Sequence, residues 1–203
     1  NSLYSASTGM DAMTQLIEPY LSKKSNPFTD MLCIEGIKRI PEALIKVMEN
    51  GNDINSRSEM AYASLMGGMA LANAGLGAVH GFAGVLGGMY SAPHGMLCAC
   101  LLPAVFSINY QYISDNENSL YLIEKMNNIS SLLTKKSSAK AKHGIDWLSE
   151  FTEKIGVPKL RDLGIKKEEY QEIVTKVKMS SSMKGNPVEL PDEALYKILD
   201  QSF

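Results

Sequence analysis

The sequence of 203 residues predicts an all-α fold, a bundle of several helices in one domain. Apolar residues recur three and four positions apart along most of the chain, which is the period of a helix with one buried face. No segment shows the alternating, β-branched pattern that is typical of a strand. Glycine, proline and asparagine separate the helical segments, and we find no internal repeat or low-complexity linker that would divide the chain.

The first two helical segments are interrupted by prolines. Residues 10–22 have helical spacing, and Pro19 near the end of this segment predicts a kink or an early end. Asn26 before Pro27 is the pattern of a capping residue followed by a proline in the first turn. We expect Pro41 to split the helix that follows into two, or to bend it.

The middle of the chain is rich in small residues. A third helix is predicted over residues 59–73, where Gly67 and Gly68 would each cost about 1 kcal/mol unless they permit tight packing against another backbone. After a glycine-rich break, a further helix, a loop at residues 91–93 and a buried helix over residues 95–112 are expected.

Beyond Asp115 the segments are amphipathic and rich in lysine. Trp147 falls on the apolar face of one of these helices, so we expect it to belong to the core. His143 stands among lysines and is expected to be a solvated surface residue. A last helix is predicted to begin near Pro191 and Asp192.

Composition excludes several kinds of partner. A formal charge of −2 and a pI near 6.0 give no basic face for nucleic acid or an anionic membrane. We find neither a signal peptide nor an apolar run of roughly 18 residues, so no membrane span is expected and a cytoplasmic location is predicted. Cys33, Cys98 and Cys100 lie in apolar surroundings, which favours reduced core cysteines over ligands.

The stretch over residues 70–103 contains His80 and His94 among glycine, alanine and other small residues. Neutral imidazole is a common ligand of divalent transition metals, so both histidines are candidate metal ligands. Asp11 is the obvious carboxylate partner, and Gln15 lies one helical turn after it. Three such donors with an open position would describe a catalytic metal site. The alternative is that the two histidines are core or capping residues without a metal.

Three blocks of the sequence resemble the C-terminal domain of the iron-containing (group III) alcohol dehydrogenases, which has the dehydroquinate synthase-like helical fold. The blocks are GMDAMTQLIEPYLSKKSNPFTDMLCIEGIKRI, GLGAVHGFAGVLGGMYSAPHGMLCACLLP and GNPVELPDEALYKIL. The resemblance implies that residues 1–203 form an all-helical, metal-binding C-terminal domain. In that family an N-terminal α/β domain binds NAD(P) through a glycine-rich loop. This chain has no such loop, so we expect it to be a fragment that lacks the N-terminal nucleotide-binding domain.

Carried over by motif position, the family's metal ligands are Asp11, Gln15, His80 and His94, holding Fe²⁺ or Zn²⁺. The family most often has histidine where this chain has Gln15, and an amide is a weaker donor, so we expect a weakened site. Restoring the usual ligand with Gln15→His should tighten binding, and this gain should fade below pH about 6.5, where an ordinary histidine becomes protonated. The family also has a histidine near the substrate where this chain has Gly84. No catalytic residue is assigned.

The resemblance implies hydride transfer between a small alcohol or aldehyde and NAD(P), with the metal polarising the substrate oxygen, in a homo-oligomeric full-length enzyme. Two alternatives stay open. One is a metal-independent carbonyl reductase of the same fold, which would suit Gln15 and Gly84. The other is a non-catalytic helical module that binds a partner. The isolated chain is expected to be inactive.

Overall fold

Helices form the regular structure of the protein, as the periodicity predicted. The computed structural model describes residues 2–115 and 119–203, and in these ranges there is no strand. The α-helices are α1 (Ser2–Leu21), α2 (Pro27–Glu49), α3 (Ile54–Ala74), α4 (Ala78–Met89), α5 (His94–Ser114), α6 (Leu120–Thr134), α7 (Ala141–Lys154), α8 (Tyr170–Met179) and α9 (Asp192–Ser202). Short 3₁₀ turns cover Leu160–Leu163, Lys167–Glu169 and Ser181–Gly185.

Helix α1 lies in the centre of the bundle and packs against α2, α3, α5 and α6. Its buried side chains recur at helical spacing, which is the pattern that predicted it. Met10, Met13, Leu16 and Ile17 are fully buried or nearly so. Burial of each such side chain contributes about 1.5–3 kcal/mol relative to leaving it in water. This packing holds α1 in place beneath the beginnings of α4 and α5.

The ends of the first two helices follow their signals, except at the start of α1. Helix α1 begins at Ser2 rather than at residue 10, and it ends two residues after Pro19, as expected. Asn26 caps α2, because its side chain accepts hydrogen bonds from the backbone N–H groups of Phe28 and Thr29, each at 3.1 Å. The prediction of a helix start at this point is confirmed.

Of the two outcomes predicted at Pro41, the split into two helices is wrong, because α2 continues from Pro27 to Glu49, and a bend stays a prediction. Proline removes one helical hydrogen bond and usually kinks or ends a helix. Here Pro41 is buried, and Ile37, Ile40 and Leu44 around it are also buried against the neighbouring helices α1 and α3. Tertiary packing on both sides of the proline holds the helix together.

Gly67 and Gly68 have different roles. A Cβ atom at Gly67 would lie 3.3 Å from the Cβ atom of Gln15 and 3.6 Å from the carbonyl oxygen of Ala12, so α3 passes close to α1 at this glycine. At Gly68 nothing lies within 4 Å of the same position, and the residue faces solvent. The prediction of close packing is confirmed for Gly67 and wrong for Gly68.

Helix α5 is the most apolar long element among the residues that the structure describes. By length and composition it could cross a membrane, and α3 and α4 pass the same test as a pair bent by 100°. However, 72% of the apolar window of α5 is buried inside the protein, as in the core helix of a globular domain. Its apolar surface is therefore used in packing.

Three predictions for the later helices can be compared with the structure. Trp147 is only partly buried, and it stacks on Phe151 with ring centroids 4.5 Å apart. His143 is exposed, as predicted, and its Nδ1 accepts a hydrogen bond from the backbone N–H of Lys140 at the start of α7. Helix α9 begins at Asp192, at the predicted place.

Candidate metal centre

Helix α1 brings three polar side chains to one place, Asp11, Gln15 and Glu18. They follow each other at spacings of four and three, so they share one face of the helix. The side-chain amide of Gln15 donates a hydrogen bond to Oδ2 of Asp11 at 3.0 Å. Glu18 is buried, although it was not among the residues singled out from the sequence.

The two histidines stand at the beginnings of α4 and α5. His80 lies in the first turn of α4, and His94 is the first residue of α5, after Pro93. A Cβ atom at Gly95 would lie 2.3 Å from the backbone oxygen of Ser7, so glycine is required for α5 to start this close to α1. The close approach brings His94 to the same end of the bundle as Asp11.

The three side chains predicted from the sequence converge. Oδ1 of Asp11 lies 3.3 Å from Nε2 of His80 and 3.8 Å from Nε2 of His94. The two imidazole rings are tilted by 50°, with centroids 5.5 Å apart. One donor atom from each of four residues lies within 4.8 Å of the others, and these residues are Asp11, His80, His94 and Cys98.

Two atoms at the centre of this cluster lack hydrogen bonds. Oδ1 of Asp11 and Nε2 of His80 are buried and have no partner with acceptable hydrogen-bond geometry. A buried polar atom without a partner costs about 1–3 kcal/mol, so such atoms are rare in folded proteins. A carboxylate oxygen and an imidazole nitrogen that point into one space suit a divalent transition metal. The residues present therefore fit a metal ion.

Glu18 fixes the orientation of His80. Its Oε2 lies 2.7 Å from Nδ1 of His80, and its Oε1 accepts a hydrogen bond of 2.6 Å from the backbone N–H of Val79. When the imidazole is neutral, a proton on Nδ1 is donated to Glu18 and the lone pair of Nε2 faces Asp11. Carboxylate partners of this kind orient metal-binding histidines and make them more basic.

Charges around the cluster oppose the effect of burial. Burial alone would lower the pKa of His80, but its close polar contacts with Asp11 and Glu18 and their negative charges outweigh burial and raise that pKa to about 9. Burial alone would raise the pKa of Asp11, but the polar contact with His80 and the charges of His80 and His94 lower it. Without a metal, His80 and Asp11 therefore form an ion pair near neutral pH.

One side of the cluster is open. The side chain of His80 is 7% exposed, whereas that of His94 is 47% exposed. Gly84, Gly87 and Gly88 on α4 are also exposed. Because His94 reaches the surface, the two histidines are not enclosed on every side.

Comparison with known proteins identifies the family. The model of the Fe-containing alcohol dehydrogenase family, C-terminal domain, matches residues 5–203. The chain belongs to this family. It is 38% identical over 200 residues to 1,3-propanediol dehydrogenase of Citrobacter freundii, a match that covers 98% of this chain and 50% of that protein. It is 33% identical over 199 residues to alcohol dehydrogenase 4 of Saccharomyces cerevisiae, covering 98% of this chain and 50% of that protein.

Solved structures agree with this assignment. A crystal structure of 1,3-propanediol oxidoreductase superposes with a TM-score of 0.92 at 33% sequence identity, and it covers 100% of this chain and 52% of that one. An alcohol dehydrogenase from Oenococcus oeni has a TM-score of 0.90 at 32% identity, with 100% and 52% coverage. The chain spans about half the length of the curated relatives that it matches. The predicted family and the predicted all-α fold are confirmed.

The iron-containing alcohol dehydrogenase domain described here differs from the resemblance pattern at Gln15 and Gly84. Gln15 is half-buried, and its amide is hydrogen-bonded to Asp11. At Gly84, one turn after His80, nothing lies within 4 Å of a Cβ position. Gly84 therefore has space for a different side chain, whereas Gln15 lies close to α3 at Gly67.

Cys98 was predicted to be a core cysteine rather than a metal ligand, but the structure places its sulfur atom in the cluster. All three cysteines are free and buried, as expected. However, Sγ of Cys98 lies 3.6 Å from Nε2 of His94, which is one turn earlier on α5. Burial, together with the charges of Asp11 and Glu18, raises the pKa of this thiol well above 9.0. The spacing of four between His94 and Cys98 was the available signal for this contact.

Proposed function

We propose that this chain is the metal-binding domain of an NAD(P)-dependent alcohol dehydrogenase that transfers hydride between a small alcohol or aldehyde and a nicotinamide cofactor. The observation that carries the proposal is the convergence of Asp11, His80 and His94. Two of the buried donor atoms in this cluster, Oδ1 of Asp11 and Nε2 of His80, have no hydrogen-bond partner. Membership in the Fe-containing alcohol dehydrogenase family supports the same function.

In this proposal Asp11, His80 and His94 hold Fe²⁺ or Zn²⁺. A bound divalent metal polarises the oxygen of an alcohol or aldehyde and stabilises alkoxide character. Glu18 keeps Nε2 of His80 free to bind, through its contact with Nδ1. The exposed side of His94 is where a substrate can enter. The proposal that Gln15 is a further ligand stays a prediction, with its amide turned toward Asp11.

NAD(P) would be bound by a partner domain with a nucleotide-binding fold. The chain spans about half of its curated relatives, whose names include dehydrogenases of 1,3-propanediol and other alcohols. An open site beside His94 is suited to a cleft between two domains. We further propose that the complete enzyme is a cytoplasmic homo-oligomer and that it binds neither nucleic acid nor membrane.

The metal can be tested with two matched histidine variants. The purified chain, stripped with a chelator, should bind one zinc ion in a calorimetric titration at pH 8. Both His94 and His143 are exposed, but only His94 lies in the cluster. We therefore expect His94→Ala to weaken zinc binding by at least about tenfold, whereas His143→Ala should bind like the wild type.

Failure of the wild-type chain to bind zinc or ferrous iron would refute the proposed metal site and favour the metal-independent carbonyl reductase. Equal affinities of the two variants would place the ion elsewhere. We also expect the isolated chain not to oxidise ethanol or 1,3-propanediol with NAD⁺, because it supplies only the metal side of the site. Measurable oxidation by the chain alone would refute the two-domain arrangement and also the partner-binding module.

A further inference from the structure

The fourth side chain of the cluster is a cysteine on the same helix as His94. Sγ of Cys98 lies with the donor atoms of Asp11, His80 and His94, all within 4.8 Å of one another. The residue is fully buried. An unpartnered nitrogen, Nε2 of His80, is buried in the same cluster. The thiol therefore shares its space with atoms that lack a hydrogen-bond partner.

Three distances between these donor atoms can be compared with the edges of a zinc coordination tetrahedron. Usual zinc bond lengths give edges of about 3.6 Å between sulfur and nitrogen and about 3.3 Å between nitrogen and oxygen. Sγ of Cys98 lies 3.6 Å from Nε2 of His94, and Oδ1 of Asp11 lies 3.3 Å from Nε2 of His80. The edge between Asp11 and His94 is longer, at 3.8 Å. Two of these three edges thus have the length that a shared zinc ion requires.

Gln15 has a different partner. Its amide nitrogen donates to Oδ2 of Asp11, which leaves Oδ1 of the same carboxylate facing the histidines. This hydrogen bond can hold the carboxylate in its binding orientation, as supporting residues do around other metal sites.

We propose that the thiolate of Cys98 is the fourth protein ligand of the metal, beside Asp11, His80 and His94, and that Gln15 is a positioning residue for Asp11. This inference rests on the proposed function, because it concerns the same metal ion. On binding, the thiol loses its proton to solvent. The thiolate and the carboxylate then carry two negative charges that balance a divalent cation.

A thiolate ligand changes which metal the site prefers. Cysteine sulfur is a soft donor that favours zinc, whereas a set of oxygen and nitrogen donors suits ferrous iron. The site should therefore select zinc over ferrous iron more strongly than a site without the thiolate. With four protein ligands, a substrate oxygen has to enter as a fifth ligand from the exposed side of His94, which zinc coordination permits.

Cobalt(II) reports sulfur coordination directly. The cobalt-loaded chain should show an intense thiolate-to-cobalt charge-transfer band in the near ultraviolet. Cys98→Ser should abolish the band and lower zinc affinity by at least about tenfold. Cys100→Ser is the matched control, because Cys100 is buried on the same helix and contacts the backbone of Ser202. Cys100→Ser and Gln15→Ala should both retain the band.

X-ray absorption of the zinc-loaded wild type gives a measurement that does not depend on the folding of any variant. A zinc–sulfur distance of about 2.3 Å is expected. If zinc or cobalt binds without sulfur in its shell, the inference about Cys98 is overturned and the proposed metal site stands. If the band survives Cys98→Ser or is lost in Cys100→Ser, the inference is likewise overturned. If no metal binds at all, both proposals fail.

Discussion

Metal binding to the cluster should be strongly dependent on pH, because the ion has to displace protons. In the metal-free protein the pKa of His80 is raised to about 9, so its imidazole is mostly protonated at pH 8 and below. Only neutral imidazole binds a metal. A raised pKa favours the protonated form, so affinity should increase as pH rises, and His80 should stop limiting it above about pH 9.

The size of the effect follows from the pKa of His80. At pH 7.5, about 1.5 units below that pKa, protonation of His80 should lower metal affinity by about 30-fold, or roughly 2 kcal/mol. The raised pKa of His80 therefore shifts the loss of metal affinity to a pH well above 6.5, which is about the pKa of an ordinary histidine. The pKa of Asp11 is lowered, so its carboxylate is already ionised and releases no proton in this range.

Cys98 adds a second proton if it binds as a thiolate. Its pKa is raised well above 9.0, so the thiol is protonated before binding. Zinc affinity should then change by about 100-fold per pH unit between pH 7.5 and 8.5, against about tenfold in Cys98→Ser, which has no thiol proton to release. The difference between the two slopes of log affinity against pH gives the number of protons that the thiol releases.

Calorimetric titration in buffers with different ionisation enthalpies measures this count directly. About two protons should be released per zinc ion by the wild type and by Cys100→Ser, and about one by Cys98→Ser. Affinity that does not change between pH 7.5 and 8.5 would refute the argument that His80 is held protonated by Asp11 and Glu18. Release of one proton by the wild type would keep that argument and remove Cys98 from the metal.

The remaining predictions concern single substitutions. At pH 9 and above, where protonation of His80 no longer competes with the metal, Glu18→Gln should weaken zinc binding by about 10- to 100-fold, because the neutral amide no longer supports the imidazole of His80; unchanged affinity in a zinc titration at that pH would show that Glu18 only caps α4. Gln15→His separates the two roles of position 15: a histidine that acts as a ligand would tighten zinc or iron binding at pH 7.5 by a similar factor, whereas the positioning role predicts no gain, because the hydrogen bond to Asp11 is lost; tighter binding would make position 15 a ligand. Gly95→Ala should destabilise the fold by about 1–3 kcal/mol in thermal unfolding, because its Cβ atom would meet the backbone of Ser7 at 2.3 Å. The exposed Gly84→Ala is the control, and it should stabilise α4 by about 0.5–1 kcal/mol; a Gly95→Ala variant as stable as this control would contradict the close approach of α5 to α1.

The helices could be predicted because their signals are local. Asn26 and Thr29 cap α2 through contacts within one turn, and the spacing of the apolar residues is set within each segment. The result at Pro41 could not be predicted in this way. Whether a proline breaks a helix depends on what packs around it, and α1 and α3 lie far from Pro41 in the sequence. The error arose where tertiary contacts outweighed a local preference.

The donors of the site were predictable in part. Residue type and the family resemblance were sufficient to single out Asp11, His80 and His94. Glu18 lies seven residues after Asp11, and Cys98 lies four residues after His94, but such spacings occur on many helices without a shared site. Their roles became visible only when the beginnings of α4 and α5 were placed against α1. That arrangement depends on non-local contacts that a helical period does not encode.

The two departures from the family pattern lie outside the buried inner part of the site. The inner part of the site is buried and interlocked, because Glu18 contacts both the ring of His80 and the backbone of Val79. A change there disturbs the start of α4 as well as the metal. Gln15 is half-buried, and Gly84 is exposed with free space at its Cβ position. A side chain added at Gly84 would meet free space, whereas a change at Gln15 removes the hydrogen bond to Asp11. We therefore expect a substitution at Gly84 to leave the helix packing intact and a substitution at Gln15 to act on the carboxylate of Asp11.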